Sequence, residues 1–161
     1  SHYLALYDET GPDVPHVRAT ASCRTMDAVY AGIQAGMVNA AHDCSEGGFA
    51  VAAAEMAFAG GLGMDLDLRR APGIGLRTDE ALFSESAGRF VVTVSADKAD
   101  RFYAGMLALG LRAVGRVGVV TEDGRFAVRD TTGTECISAG VAELKKAWQR
   151  TLPDSIQGGS A

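Results

Sequence analysis

The stretch HDCSEGGFAVAAAEMA, residues 42–57, decides how this sequence is read. It opens on His42, Asp43, Ser45 and Glu46, passes through Gly47 and Gly48, and runs on in apolar, alanine-rich sequence. Two readings are open. One is an ordinary helix start, with Asp43 or Ser45 as N-cap and His42 satisfied in the core. The other is a polar turn shaped to face a ligand. In either case a helix runs from Gly48 to about Ala59, with Phe49, Ala52, Ala53 and Met56 inward, and Gly60-Gly61 ends it. Its alanines call for close packing on a neighbouring layer.

Working outward, VNAAH reads as a short buried strand that delivers the motif. Before it, Thr25 has the chemistry of an N-cap for a helix carrying Met26, Val29, Tyr30, Ile33 and Met37 at helical spacing. YLALY suggests a short opening strand, and in TGPDVP both Pro12 and Pro15 exclude helix. After the motif, LGMDLDL alternates as a half-buried strand with Leu62, Met64, Leu66 and Leu68 on one face. RRAPGIGLRT is a loop, TDEALFSE a short helix capped by Thr78, and RFVVTVS a strand. Ser95 caps a further helix with Ala99, Phe102, Met106 and Leu109 in one stripe, stopped by Gly110. RAVGRVGVV and RFAVR read as strands joined at TEDG, whose Asp-Gly suits a tight hairpin. ECIS, the helix GVAELKKAW and a frayed LPDSIQGGSA complete the chain. Interleaved helices and strands with one hairpin imply a single α+β domain, a mixed β-sheet with helices packed on it, over residues 1–152, with 153–161 a flexible tail.

Composition limits the function classes. At 161 residues, 47% apolar and 22% charged, the chain has the make-up and length for one globular core. No apolar run approaches the ~20 residues of a membrane span, and SHYLALYDET lacks the pattern of a signal peptide. The net charge of −5 argues against a nucleic-acid surface. Cys23, Cys44 and Cys136 form no C-x-x-C pair, so a zinc site or disulfide framework is not expected and a reducing, cytoplasmic setting is. Twenty glycines, well above the usual ~7%, mark turns and close backbone approaches. A chain beginning at Ser1 reads as part of something longer.

The ligand-facing reading has a physical basis. The first N–H groups of a helix lack intrahelical partners and carry partial positive charge, and glycines without Cβ atoms let a phosphate come close. Asp43 at the strand end offers a carboxylate oxygen to magnesium. His42 can donate to a phosphate or simply pack. A second cluster, LFSESAGRF at 82–90, places Glu85 and Ser86 after a short helix and Arg89 before a strand. Glu85 can accept from a ribose hydroxyl or ligate magnesium, and Ser86 can donate to a substrate oxygen. The alternative is a surface Glu85–Arg89 pair, worth ~0–1 kcal/mol. Cys44 has no evident partner base, His2 and His16 are assigned nothing, and Trp148 reads as a packing anchor.

Together these stretches resemble a known family. HDCSEGGFAVAAAEMA is similar to the H-D-x-S-x-G-G-[LF]-A…E-M-A signature of the aminoimidazole ribonucleotide synthetase-related superfamily, and ALFSESAGRFVVTV to its L-F-S-E-S-x-G-R-x-x-V segment. SHYLALYDETGPDVPHV resembles the G-G-S-x-Y-L…G-x-x-P opening of the same domain, and GRVGVV with VAELKKAW its end. The order and span, residue 1 to about 152, are those of the last domain of the phosphoribosylformylglycinamidine synthase branch, in the second of its two homologous halves.

That resemblance implies a parent enzyme of purine biosynthesis. It joins formylglycinamide ribonucleotide, ATP and glutamine-derived ammonia: ATP phosphorylates the amide oxygen, ammonia displaces phosphate, and magnesium neutralises charge. The implied partners are a preceding ATP-binding domain of the same chain and a glutaminase component, with no nucleic acid and no membrane. ATP and magnesium are then cofactors of the parent, with none necessarily bound by the isolated domain, which is expected to be inactive. His42, Asp43, Ser45, Gly47, Gly48, Glu85, Ser86 and Arg89 are the implied ligand-binding positions, and Asp43 the implied metal ligand. In the first-half domain the Glu-Ser is followed by glutamine; here Ala87 follows Ser86, a departure that fits a degenerate second-half site. A glycine turn lacking the acid marks aminoimidazole ribonucleotide synthetase, and a terminal reactive cysteine the hydrogenase-maturation branch. Asp43 and the ending GGSA fit neither. A non-enzymatic packing module is the remaining alternative.

Overall fold

The computed structural model describes residues 2–11, 14–73 and 75–157. Ser1, Pro12, Asp13, Ile74 and residues 158–161, which include the end of the expected tail, lie outside them. The helices are α1 (His2–Ala5), α2 (Ala19–Gln34), α3 (Gly48–Gly60), α4 (Thr78–Phe83), α5 (Ala99–Ala108) and α6 (Val141–Gln157). The strands are β1 (Val38–Asp43), β2 (Gly63–Asp67), β3 (Phe90–Val94), β4 (Gly118–Thr121), β5 (Arg125–Arg129) and β6 (Glu135–Gly140). The class is α+β, as expected, but the strands divide between two sheets: β1–β3, and a four-stranded sheet in the order β4-β2-β5-β6.

Helix α3 lies between the two sheets, which is why it is apolar on all sides. Ala50, Ala53 and Ala57 pack into a core with Met64, Leu66, Phe126, Val128 and Val141. Ala52 packs on the other side with Cys44 and Val91, and Phe49 and Met56 serve both clusters. The alanines bring the helix close to both layers, as the sequence suggested. A third cluster, Ala28, Phe102 and Met106, joins α2 and α5 against Val92 and Val94.

Several expectations change. The expected hairpin at TEDG does not form: β2 lies between β4 and β5, antiparallel to the first and parallel to the second. The reason is steric. Gly63 enters between the strand ends so tightly that a Cβ there would stand 2.3 Å from Thr121 Oγ1 and 2.6 Å from the Arg125 carbonyl oxygen. The connection spans the intruding strand, and Asp123 braces it by accepting from Thr121 Oγ1 at 2.6 Å and from the Arg125 N–H at 3.1 Å. The strand expected over 112–120 is confined to β4, and the expected opening strand is instead the single turn α1. Helix α6 continues to Gln157, past the expected boundary at 152.

Helix α2 starts at Ala19, not after Thr25, whose hydroxyl donates back to the Ala21 carbonyl at 3.0 Å inside the helix. Its buried face is Ser22, Ala28 and Gly32, while Met26, Tyr30 and Ile33 are exposed. Gly32 explains this, because a Cβ there would come within 2.8 Å of Phe102 Cε2. Small residues make the close contact with α5 and turn the larger stripe outward. Thr78 does not cap α4; Arg77 is the N-cap residue, and its N–H donates to Glu80 Oε2 at 3.0 Å. Nor is β1 a buried strand: Asn39, Ala40, Ala41 and Asp43 are exposed, because β3 is its one neighbour in the sheet.

Candidate functional site

The site is built where β1 ends and α3 begins. In the antiparallel β1–β3 ladder Asp43 pairs with Phe90, and the next N–H, from Cys44, donates to the Arg89 carbonyl at 2.9 Å. The chain then turns through Ser45 and Glu46, both exposed, into Gly47, whose left-handed backbone (φ 71°) makes it the N-cap of α3. Neither Asp43 nor Ser45 is that cap, and Gly47 has no side chain with which to cap the helix. The Gly47 N–H instead donates to Glu85 Oε1 at 3.1 Å. The Gly48 N–H donates to the Ser45 carbonyl at 3.2 Å.

The two motif segments therefore meet, and they do so by a carboxylate at the start of a helix, where negative charge is favoured. The anion on the Gly47 amide is the chain's own Glu85. Gly48 serves a contact rather than an opening. It too is left-handed, and a Cβ on it would lie 2.6 Å from the Ser84 carbonyl oxygen and 2.9 Å from that of Leu82. Its bare backbone lets α3 seat directly on the end of α4. Arg89 completes the unit: its Nη2 donates to the Ser84 carbonyl, and its Nε is buried without a hydrogen-bond partner among the described residues. Beneath it, Gly88 (φ 79°) is in close contact with the buried Ser22.

His42 is held from both sides. Its Nδ1 lies 2.7 Å from the Asp43 carbonyl oxygen and its Nε2 2.7 Å from Glu55 Oε2. The Asp43 side chain is 62% exposed, with Oδ1 3.6 Å from His42 Nδ1. It borders an open groove of about 370 Å³ lined by Val29, Ile33, Ala41, His42, Asp43 and Phe90. Cys44 is buried, and burial pushes its thiol above the ordinary range; the Arg89 charge opposes that shift and Asp43 adds to it. A thiol held protonated in this way is a packing group.

The structure thus gathers His42, Asp43, Gly47, Gly48, Glu85 and Arg89 at one end of β1 and β3, with Ser45 and Ser86 on the exposed surface beside them. Among the described residues no group of three or more His, Cys, Asp or Glu could hold a metal ion. Asp43 by itself suits magnesium only as one oxygen ligand among phosphate and water ligands. Sequence reasoning passed over Glu55. Its signal was visible: a lone carboxylate in an otherwise apolar helix must find a partner when half buried. It also passed over Trp148 as a polar contact; the indole packs on Phe58 at 5.6 Å and donates from Nε1 to Glu55 Oε1 at 3.0 Å.

Comparison with known proteins agrees with this architecture. Residues 4–131 match the family described as AIR synthase related protein, C-terminal domain. Phosphoribosylformylglycinamidine synthase subunit PurL of Moorella thermoacetica is 39% identical over 123 residues, 75% of this chain and 16% of its own. The Synechocystis protein of the same name is 36% identical over 156 residues, 94% of this chain and 20% of its own. The chain thus spans about a fifth of the length of these relatives. Among solved structures, Thermotoga maritima PurL complexed with FGAR superposes with a TM-score of 0.73 at 26% identity, over 81% of this chain and 22% of that one. The same protein complexed with ATP gives 0.67 at 27% identity, over 75% and 21%. No described helix is long and apolar enough to cross a membrane. With four-fifths of its length matched, this chain belongs to the AIR synthase related protein, C-terminal domain family.

Proposed function

We propose that this chain acts as the C-terminal domain of the second half of a phosphoribosylformylglycinamidine synthase. The parent would convert formylglycinamide ribonucleotide, ATP and glutamine-derived ammonia to formylglycinamidine ribonucleotide in purine biosynthesis, in the cytoplasm. The preceding ATP-binding domain would supply the nucleotide-binding groups, and a glutaminase component the ammonia. One observation carries the domain's own role. The segments around Asp43 and Glu85, thirty-eight positions apart between Gly47 and Glu85, close on each other through the Gly47–Glu85 hydrogen bond. A helix start already neutralised by an internal carboxylate is a support for a neighbouring site, not a free phosphate cradle.

On this reading the domain holds no catalytic residue. His42, Ser45, Ser86 and Arg89 form the rim that meets the neighbouring domain's ligand, and Gly47 and Gly48 set the distance between the two motif segments. Asp43 would give one oxygen to a magnesium ion held mainly by phosphate and water, and that ion would screen charge between phosphate and the Asp43–Glu85 rim. The relatives named PurL and the PurL structures with FGAR and with ATP support this assignment.

The test is a phosphate-release assay with formylglycinamide ribonucleotide, ATP, ammonium and magnesium. The 161-residue chain alone is expected to release none above the blank. The parent enzyme with both halves is expected to be active, with Asp43→Ala lowering the rate about 10- to 100-fold, the range for loss of a supporting metal contact. Enzyme-like turnover by the chain alone would overturn the division of roles.

A further inference from the structure

Glu55 stands at the centre of a polar chain inside an apolar helix. One carboxylate oxygen faces His42 Nε2 at 2.7 Å and the other takes the Trp148 Nε1 proton at 3.0 Å. These contacts link three separate parts of the fold: the end of β1, the third turn of α3 and the last helix α6. We infer that Glu55 is the positioning residue for His42, and that Trp148 holds Glu55 in turn, so that α6 fixes the imidazole at the edge of the candidate site.

The chemistry is specific. Both His42 nitrogens face oxygens with no proton to give, the Asp43 carbonyl at Nδ1 and the Glu55 carboxylate at Nε2. The two contacts fix the ring from opposite edges, and a carboxylate is the acceptor that best rewards a donating Nε2. Glu55 can do this only if it does not swing toward solvent. The indole N–H, anchored by the Phe58 contact, occupies its second oxygen and removes that freedom. The link is local to this chain and needs no bound ligand; only its functional meaning rests on reading residues 42–48 as a site.

The ring nitrogens of the chain's three histidines and the N–H of its one tryptophan can be read by ¹⁵N NMR on the full 161-residue chain. Glu55→Gln offers His42 an amide N–H, which lets Nε2 accept. The expected result is a clear change in the His42 ring signals, as its Nε2 partner alters, and an upfield move of the indole N–H. Trp148→Phe keeps an aromatic ring against Phe58 but has no donor. It is expected to move the His42 ring signals toward those of the exposed His16, although residue 148 does not touch His42. Trp148 is 55% exposed, so this variant keeps the test alive should Glu55→Gln fail to fold. Unchanged His42 signals in folded Glu55→Gln would overturn the positioning role, and unchanged signals in Trp148→Phe would remove α6 from it. Both outcomes are independent of whether the domain binds nucleotide.

Discussion

The two sheets flanking α3 are unequal. On the four-stranded side Phe126 and Val128 are completely enclosed, with Met64, Leu66 and Leu68 beside them. On the β1–β3 side the clusters are small: three buried residues around Phe102 and three around Val91. The candidate site sits on this thinner side, where β1 is largely exposed. The domain keeps its larger apolar core away from the candidate site, and one helix packs on both layers. That arrangement positions polar groups at a sheet end without making them part of the core.

The contrast can be broken most forcefully at Phe126. Phe126→Ala is expected to cost about 3–5 kcal/mol, as for other buried aromatic truncations, read from the urea midpoint. Gly48→Ala comes next, at about 2–4 kcal/mol, since a left-handed backbone and a clash with two fixed carbonyls act together. Gly36→Ala is the matched control. Its φ is +64° but nothing lies within 4 Å, so it should cost only about 1 kcal/mol. Equal losses at the two glycines would mean that the seat of α3 on α4 is not tight. On the thin side Met106→Ala should cost about 2 kcal/mol, the low end for such truncations, because a small cluster can collapse around the gap. A loss at Met106 matching that at Phe126 would erase the distinction between the layers.

The smallest effect is electrostatic. The Arg69 side chain donates to both Asp67 oxygens and, with the Arg69 N–H, holds that carboxyl down from 3.8 to about 2. Between those values the unfolded chain binds the proton and the folded chain does not. The stabilisation is therefore complete above the ordinary carboxylate range and is lost as the pH falls through about 2. Arg69→Ala should return the Asp67 carboxyl titration, followed by NMR, toward 3.8.

Much of this was legible in the sequence where local pattern and global packing agree. The alanine-rich α3, the alternating β2 and the Phe102–Met106 stripe were all read from periodicity. The meeting of the two motif segments could not be read from spacing, because it depends on β1 and β3 pairing across the chain. Three local signals pointed elsewhere. Thr25 has an N-cap's chemistry but lies within α2, where its hydroxyl bonds back one turn. Met26, Tyr30 and Ile33 form an apolar stripe, yet Gly32 decides which face meets α5. Asp123-Gly124 has hairpin chemistry, yet the strands it joins are not neighbours. In the last two cases a glycine's capacity for close approach, at Gly32 and at Gly63, outweighed a larger residue's preference, and single-sequence patterns weigh size poorly.

The strand lodged between β4 and β5 makes β2 a splint. Residues 122–124 join two strands that never touch, and each is fastened to β2 by its own ladder. A chain severed at that exposed link would stay one folded body, with hydrogen exchange at Met64–Leu66 unchanged, whereas severing an ordinary hairpin loop frees its two strands to separate.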